Sequence, residues 1–151
     1  MMFKPNATVA AVIERDGRFL FVQERILGEL KLNQPAGHLE QHESIVAAAV
    51  RETLEETAHH FAPQWLTGIY QWTPPERPHL TYLRFAFTGD ITGFEADRPL
   101  DAPIVQTVWL TRDELASRSD EHRSPLVLAC VDDYLAGRRY PLDILQDFDR
   151  K

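Results

Sequence analysis

"GHLEQHESIVAAAVRETLEETAHH", residues 37–60, is the stretch on which the reading of the fold turns. Its second half places Glu52, Glu55 and Glu56 in a segment that reads as a helix, in a chain whose net charge is already -7. With 100° per residue and Glu52 as origin, Glu55 falls at about 300° and Glu56 at about 40°, so the three carboxylates share an arc of about 100°. Like charges three and four residues apart cost a helix a few tenths of a kcal/mol per pair, and acids near its C-terminus oppose the macrodipole. These costs are small, so the helix alone fits a solvated acidic face as well as a cation site. Ala48 and Ala49 lie on the carboxylate side, where small residues let another segment approach. Val46, Val50 and Leu54 occupy a different face and are expected to enter the core. The helix is expected to run from Glu43 or Ser44 to Ala58.

Working outward, "ATVAAVIERDGRFLFVQER" predicts a hairpin, because Asp16-Gly17 supplies the φ > 0 residues that a two-residue turn needs. Val9 to Ile13 is nearly continuous apolar sequence and predicts a strand covered on both faces. "ILGELKLNQPAG" predicts a loop with a short extended piece, Pro35 keeping Gln34 out of helical geometry. "PQWLTGIYQW" and "LTYLRFAFTGDI" predict two strands joined by the Pro-rich "TPPERPHL". "IVQTVWL" predicts a further strand. Thr111 and Glu114 have the spacing of a capping box for a short helix. A last helix over about Ser124 to Leu135 has Pro125 in its first turn and Gly137 just past its end. No repeat or linker interrupts the 151 residues, which predict a single domain spanning 1–151, a mixed sheet with helices on both faces.

Composition narrows the function. Sixteen Lys and Arg against 23 Asp and Glu argue against a nucleic-acid polymer as partner, since such surfaces are basic. An anionic substrate therefore needs a few local Arg or Lys, or a bound cation. The one cysteine, Cys130, rules out an intramolecular disulfide and a Cys-based zinc site, and its apolar setting predicts a buried, inert thiol. No apolar run approaches the roughly 18 residues of a membrane span, and the start lacks a signal-peptide pattern, so the expectation is a cytoplasmic protein with no membrane partner.

The decisive pattern spans the loop and the helix. Gly37 is followed by five residues, Glu43, seven residues, then "RETLEE". This resembles the signature of the Nudix hydrolases: Gly, five residues, Glu, seven residues, Arg-Glu, two residues, Glu-Glu, one residue, Gly. Gly37, Glu43, Arg51, Glu52, Glu55 and Glu56 all match; chance agreement is on the order of 10⁻⁵. The final Gly is Ala58 here, and Thr53 opens the pair between "RE" and "EE". A Gly at that helix end would serve a left-handed cap that costs Ala roughly 1 kcal/mol, so the helix is expected to end differently. "FKPNATVAAVI", "NQPAGHLE", "RSPLV" and "GRRYPL" extend the resemblance, toward the NudJ-type phosphatases of that family. It implies the Nudix α/β/α sandwich around a mixed sheet.

Carboxylates without Cys or paired His call for a hard cation, Mg²⁺ with Mn²⁺ as substitute. The resemblance implies Glu55 and Glu56 as main metal ligands, Glu52 as a further ligand or the base, and Gly37 as a backbone-carbonyl ligand. It implies that Arg51 orients Glu52 or Glu56, and that Glu43 is a structural partner near the helix start. Glu40 could reach the metal through water. Family members often add a distant acid; Pro103 stands where one is expected, with Asp101 and Asp97 nearby. Trp72, Tyr70 and Tyr82 could stack on a ring, core packing being the alternative. Arg25, Lys31 and Arg84 are candidate phosphate contacts, each otherwise a solvated charge, and His38 and His42 are expected to be exposed loop residues. The implied activity is hydrolysis of a diphosphate P–O bond in nucleoside di- or triphosphates, or in hydroxymethylpyrimidine or thiamine pyrophosphate, with release of a terminal phosphate. A nucleotide sensor without turnover and a scaffold with a merely soluble acidic face are the alternatives. Monomer and homodimer are both compatible with the sequence.

Overall fold

The computed structural model describes residues 2–149. Its strands are β1 (Asn6–Val12), β2 (Glu14–Arg15), β3 (Arg18–Ile26), β4 (Glu29–Asn33), β5 (Ala36–His38), β6 (His59–Trp72), β7 (Tyr82–Phe94), β8 (Ile104–Leu110) and β9 (Tyr140–Pro141). The helices are α1 (Ile45–Thr57), α2 (Arg112–Ala116) and α3 (Leu126–Leu135). One sheet has the order β5-β1-β7-β6-β9, with β1 parallel to β7 and antiparallel to β5. In a second sheet, β3 pairs antiparallel with β2, β4 and β8.

Strand alternation sends successive side chains to opposite layers. Val9, Ala11 and Ile13 join Ala48 and Ala49 of α1 in one core, while Val12 joins Val127, Cys130 and Val131 of α3 in the other. Helices thus cover both faces, and Val9 to Ile13 are buried throughout, as their unbroken apolar run predicts. Among the described residues no helix is long and apolar enough to cross a membrane.

Several expectations are corrected. Asp16 (φ 52°) and Gly17 (φ 79°) do make the turn, but the hairpin they close is only β2 against β3; β1 breaks off before Glu14 and belongs to the other sheet. A second hairpin, β3 to β4, lies in the stretch read as a loop; its turn uses Leu27 (φ 50°) and Gly28 (φ 83°). The core face of α1 is Ala48, Ala49, Thr53 and Thr57; Val46 is half-buried and packs against that core, whereas Val50 and Leu54 are only half-buried. The two threonines can sit inside because each hydroxyl donates to a helix carbonyl one turn back, Thr53 to Ala49 at 2.8 Å and Thr57 to Thr53 at 2.6 Å. Finally, α1 does end in a left-handed cap: Ala58 adopts φ 59°, and its N–H donates to the Leu54 carbonyl.

Candidate active site

Ser44 caps α1, accepting from the Ala47 N–H at 3.0 Å, and this fixes where the carboxylates emerge. Glu52, Glu55, Glu56 and Arg51 reach one wall of a cavity of ≈ 460 Å³, together with the loop carrying Gly37 and His38. Gly37 is there for space, not for backbone freedom: a Cβ on it would overlap the Glu52 carboxylate. Ala36 N–H donates to Glu56 Oε1 at 2.9 Å, tying β5 to the helix.

Arg51 organises the acids. Its Nε and Nη2 hold both oxygens of Glu43 at 3.0 and 2.8 Å, and Nη1 reaches Glu52 at 2.8 Å and Glu55 at 3.1 Å. Nη2 also donates to the His38 carbonyl at 3.0 Å, and Glu40 lies 3.4 Å from Nη1. Arg51 therefore orients Glu52 and Glu55; Glu56 is held instead by the β5 backbone. Glu43 is a structural partner as expected, fastened to Arg51 and accepting from the Glu40 N–H at 2.8 Å.

The electrostatics follow burial. Glu56 is pushed up to about 8 by desolvation, which the Ala36 hydrogen bond only partly offsets. Glu52 is raised by the same cause, with Arg51 opposing it. Glu43 is lowered by its bonds to Arg51, and Arg51 in turn is raised by Glu43.

This wall suits a hard divalent cation. The donors are all oxygen, the Cβ-less Gly37 brings backbone up against Glu52, and a carboxyl held near-neutral by burial lacks a positive neighbour. In the arrangement seen, Arg51 draws Glu52 and Glu55 to itself, and among the described residues no three acidic, His or Cys side chains converge as an ion's ligand set.

The opposite side is built on one face of the larger sheet. Thr8 sits across from His38 on one neighbour and Arg84 on the other, and Tyr82, two residues before Arg84, shares that face. Trp72 pairs with Tyr82 across the strands, the rings 6.1 Å apart and 20° from parallel, and both line the cavity. Tyr70 does not; it packs in the core and donates to Asp133 at 2.7 Å. Arg84 is not a solvated charge but is 6% exposed and lines the cavity. Arg25 is a correction: it is exposed, donates to the Gly28 carbonyl at 3.4 Å and does not line the cavity, because its neighbour Glu24 takes the inward position. Lys31 likewise turns away, to the Asp120 carbonyl and Glu29. Of the two distant acids, Asp101 lines the cavity, its N–H donating to the Glu55 carbonyl at 3.0 Å, while Asp97 is exposed elsewhere. His38 and His42 are exposed as expected. Sequence reasoning missed Glu24, Asn33 and Arg123, which also face the cavity.

Comparison with known proteins bears on the family and the fold. The NUDIX domain model matches residues 2–130. Phosphatase NudJ of Escherichia coli strain K12 is 40% identical over 148 residues, covering 98% of this chain and 95% of that one, and Phosphatase NudJ of Shigella flexneri matches to the same extent. A NUDIX hydrolase from Nitrosomonas europaea superposes with TM-score 0.94 at 54% identity, covering 98% of this chain and 100% of that one. A UDP-X diphosphatase, 18% identical with TM-score 0.73 over 93% of this chain and 68% of that one, shares the fold alone.

Proposed function

The chain belongs to the Nudix family of hydrolases acting on phosphoric anhydrides, and from that premise we propose that it is a Mg²⁺-dependent phosphatase of small organic diphosphates and triphosphates. The observation that carries this reading is the cavity itself, with Glu52, Glu55 and Glu56 on one wall and a buried Arg84 beside the Trp72–Tyr82 ring pair on the other. A cavity of ≈ 460 Å³ is of the size that takes a nucleotide-like molecule.

When bound, a divalent cation supplies charge that polarises a phosphoryl oxygen and acidifies water. The residues that would hold it are Glu55, Glu56 and Glu52, with the Gly37 carbonyl, and Mn²⁺ is the expected substitute. Glu52 is also the candidate base. Arg51 holds its Oε1, burial makes it more basic than an ordinary carboxylate, and in this reading Oε2, which Arg51 does not bond, would accept the proton from water. The water oxygen then bonds to the terminal phosphorus, the bridging P–O bond breaks, and its electron pair leaves with the ester-side phosphate. Products are orthophosphate and a compound shortened by one phosphate. Trp72 and Tyr82 would stack on the substrate's ring, and Arg84 would hold phosphate oxygens. Nucleoside di- and triphosphates and hydroxymethylpyrimidine or thiamine pyrophosphate are the substrates we infer, in keeping with the name phosphatase carried by the relatives.

A panel of such compounds with Mg²⁺, scored separately for orthophosphate and pyrophosphate, tests this. Orthophosphate is expected, and Glu55→Gln should abolish most turnover with the fold intact. Pyrophosphate as the main product, or unchanged turnover in the variant, would overturn the reading.

A further inference from the structure

Arg84 is a buried cation held by neutral groups. Its Nη1 donates to Gln34 Oε1 at 2.9 Å and reaches Cys130 Sγ at 3.9 Å; its Nη2 donates to Asn33 Oδ1 at 2.9 Å. It forms no ion pair among the described residues. Burying a guanidinium without a carboxylate is costly, and proteins rarely do it unless a partner arrives from outside. A guanidinium has five N–H donors, and these contacts use three of them. Two donors are therefore left on a group that faces the cavity.

The surroundings keep the charge available. An acid on this side, Glu24, lies 3.7 Å from Arg123, and the charges of both Arg123 and Arg84 act on it. The oxygen of Asn33 accepts from Arg84, so a neutral amide takes the place on the guanidinium that a carboxylate could fill. Gln34, only 1% exposed, donates to the Val127 carbonyl at 2.7 Å while its oxygen accepts from Arg84, so α3 fixes the angle of the guanidinium. A carboxylate at either amide would hold Arg84 as firmly and neutralise it. Tyr82 of the ring pair stands two residues before Arg84 on β7, so both side chains leave the same face of the sheet.

We propose that Asn33 and Gln34 are positioning residues that hold Arg84, with no carboxylate hydrogen bonded to it, as a receptor for a phosphate of the substrate. The proposal rests on the assignment of Arg84 to substrate binding given above.

The test sets Asn33→Asp against Asn33→Ala, with Gln34→Glu as a second charged variant. If the amides serve to leave Arg84 without a carboxylate partner, Asn33→Asp, the closer match in shape, is the more damaging. It should raise KM for a diphosphate substrate about tenfold or more, with a smaller change in kcat, and weaken inhibition by the organic monophosphate product in parallel. Asn33→Ala should fall between it and wild type. Thermal melts identify any variant that fails to fold, in which case Gln34→Glu is read instead. Binding of inorganic pyrophosphate by calorimetry without metal gives a readout independent of turnover. If the protein hydrolyses no diphosphate, the proposed function fails, yet the loss of pyrophosphate binding in Asn33→Asp still supports the receptor. A folded Asn33→Asp protein that binds pyrophosphate like wild type, or alanine and aspartate variants that are equally impaired, overturns it.

Discussion

The N–H of Ala36 donates to the carboxylate of Glu56 across the gap between β5 and α1, at 2.9 Å. That bond fixes one oxygen of a group that burial otherwise keeps close to neutral.

Glu56 should therefore make metal uptake release a proton. Its folded value, about 8, lies above the ordinary 4.5, so the folded protein binds more protons than the unfolded chain between those pH values. By linkage, the metal-free protein loses stability as pH rises through that window, and Glu56→Gln should flatten the loss. Apparent affinity for Mn²⁺ should climb by up to about tenfold per pH unit below about 8 and then level off. Calorimetry in buffers of different ionisation heat measures the released proton; affinity that is flat from pH 6 to 8 would count against this role.

Gly37→Ala should act on chemistry more than on folding. The added methyl would collide with the Glu52 carboxylate, and the backbone at Gly37 is not in the left-handed region. Displacing the candidate base by about an ångström is expected to cost on the order of 100-fold in kcat. Near-normal kcat in this variant would show that Glu52 can work from elsewhere.

Ala58→Gly should stabilise the protein. Ala58 closes α1 at φ 59°, where a Cβ costs roughly 1 kcal/mol. Glycine removes that cost, less a smaller loss from its freer unfolded chain. Urea denaturation should show a higher midpoint with unchanged slope; a lower midpoint would mean that the buried methyl matters more than the strain.

Glu43→Gln should change the acid limb of stability. Arg51 holds Glu43 below the usual carboxylate range, so their pair stabilises the fold above the unfolded value of 4.5 and is lost as pH falls through the lower folded value. The variant should be less stable at neutral pH and lose less on acidification. Parallel stability curves from pH 3 to 7 would refute the coupling.

What the sequence made legible was local. The capping box of Thr111 and Glu114 is present in full, with the Thr111 hydroxyl accepting at 3.1 Å and the Glu114 carboxylate at 2.9 Å. The arc of Glu52, Glu55 and Glu56 follows from helical spacing alone, and so it could be read. What escaped depended on contacts between distant residues. Leu27 takes a left-handed turn position that propensity assigns to Asn or Gly, held there by the pairing of β3 with β4. Buried threonines on α1 look wrong until their hydroxyls are seen to bond the helix backbone. Glu24 displaces Arg25 from the cavity beside a shift of register between Gln23 and Glu24, which no periodicity announces. Asn33, Arg84 and Arg123 meet only after strand and helix have packed together.

Arg51 also bears on the order of events in making the holoenzyme. One guanidinium already spans Glu43, Glu52 and Glu55, so the acids carry an internal counter-ion before any solvent ion comes. If Glu52 and Glu55 hold the ion as proposed, loading would be an exchange of partners on a finished scaffold. Protein stripped with EDTA should retain one cooperative melt while falling silent in the assay, unlike domains that collapse when their ion is removed.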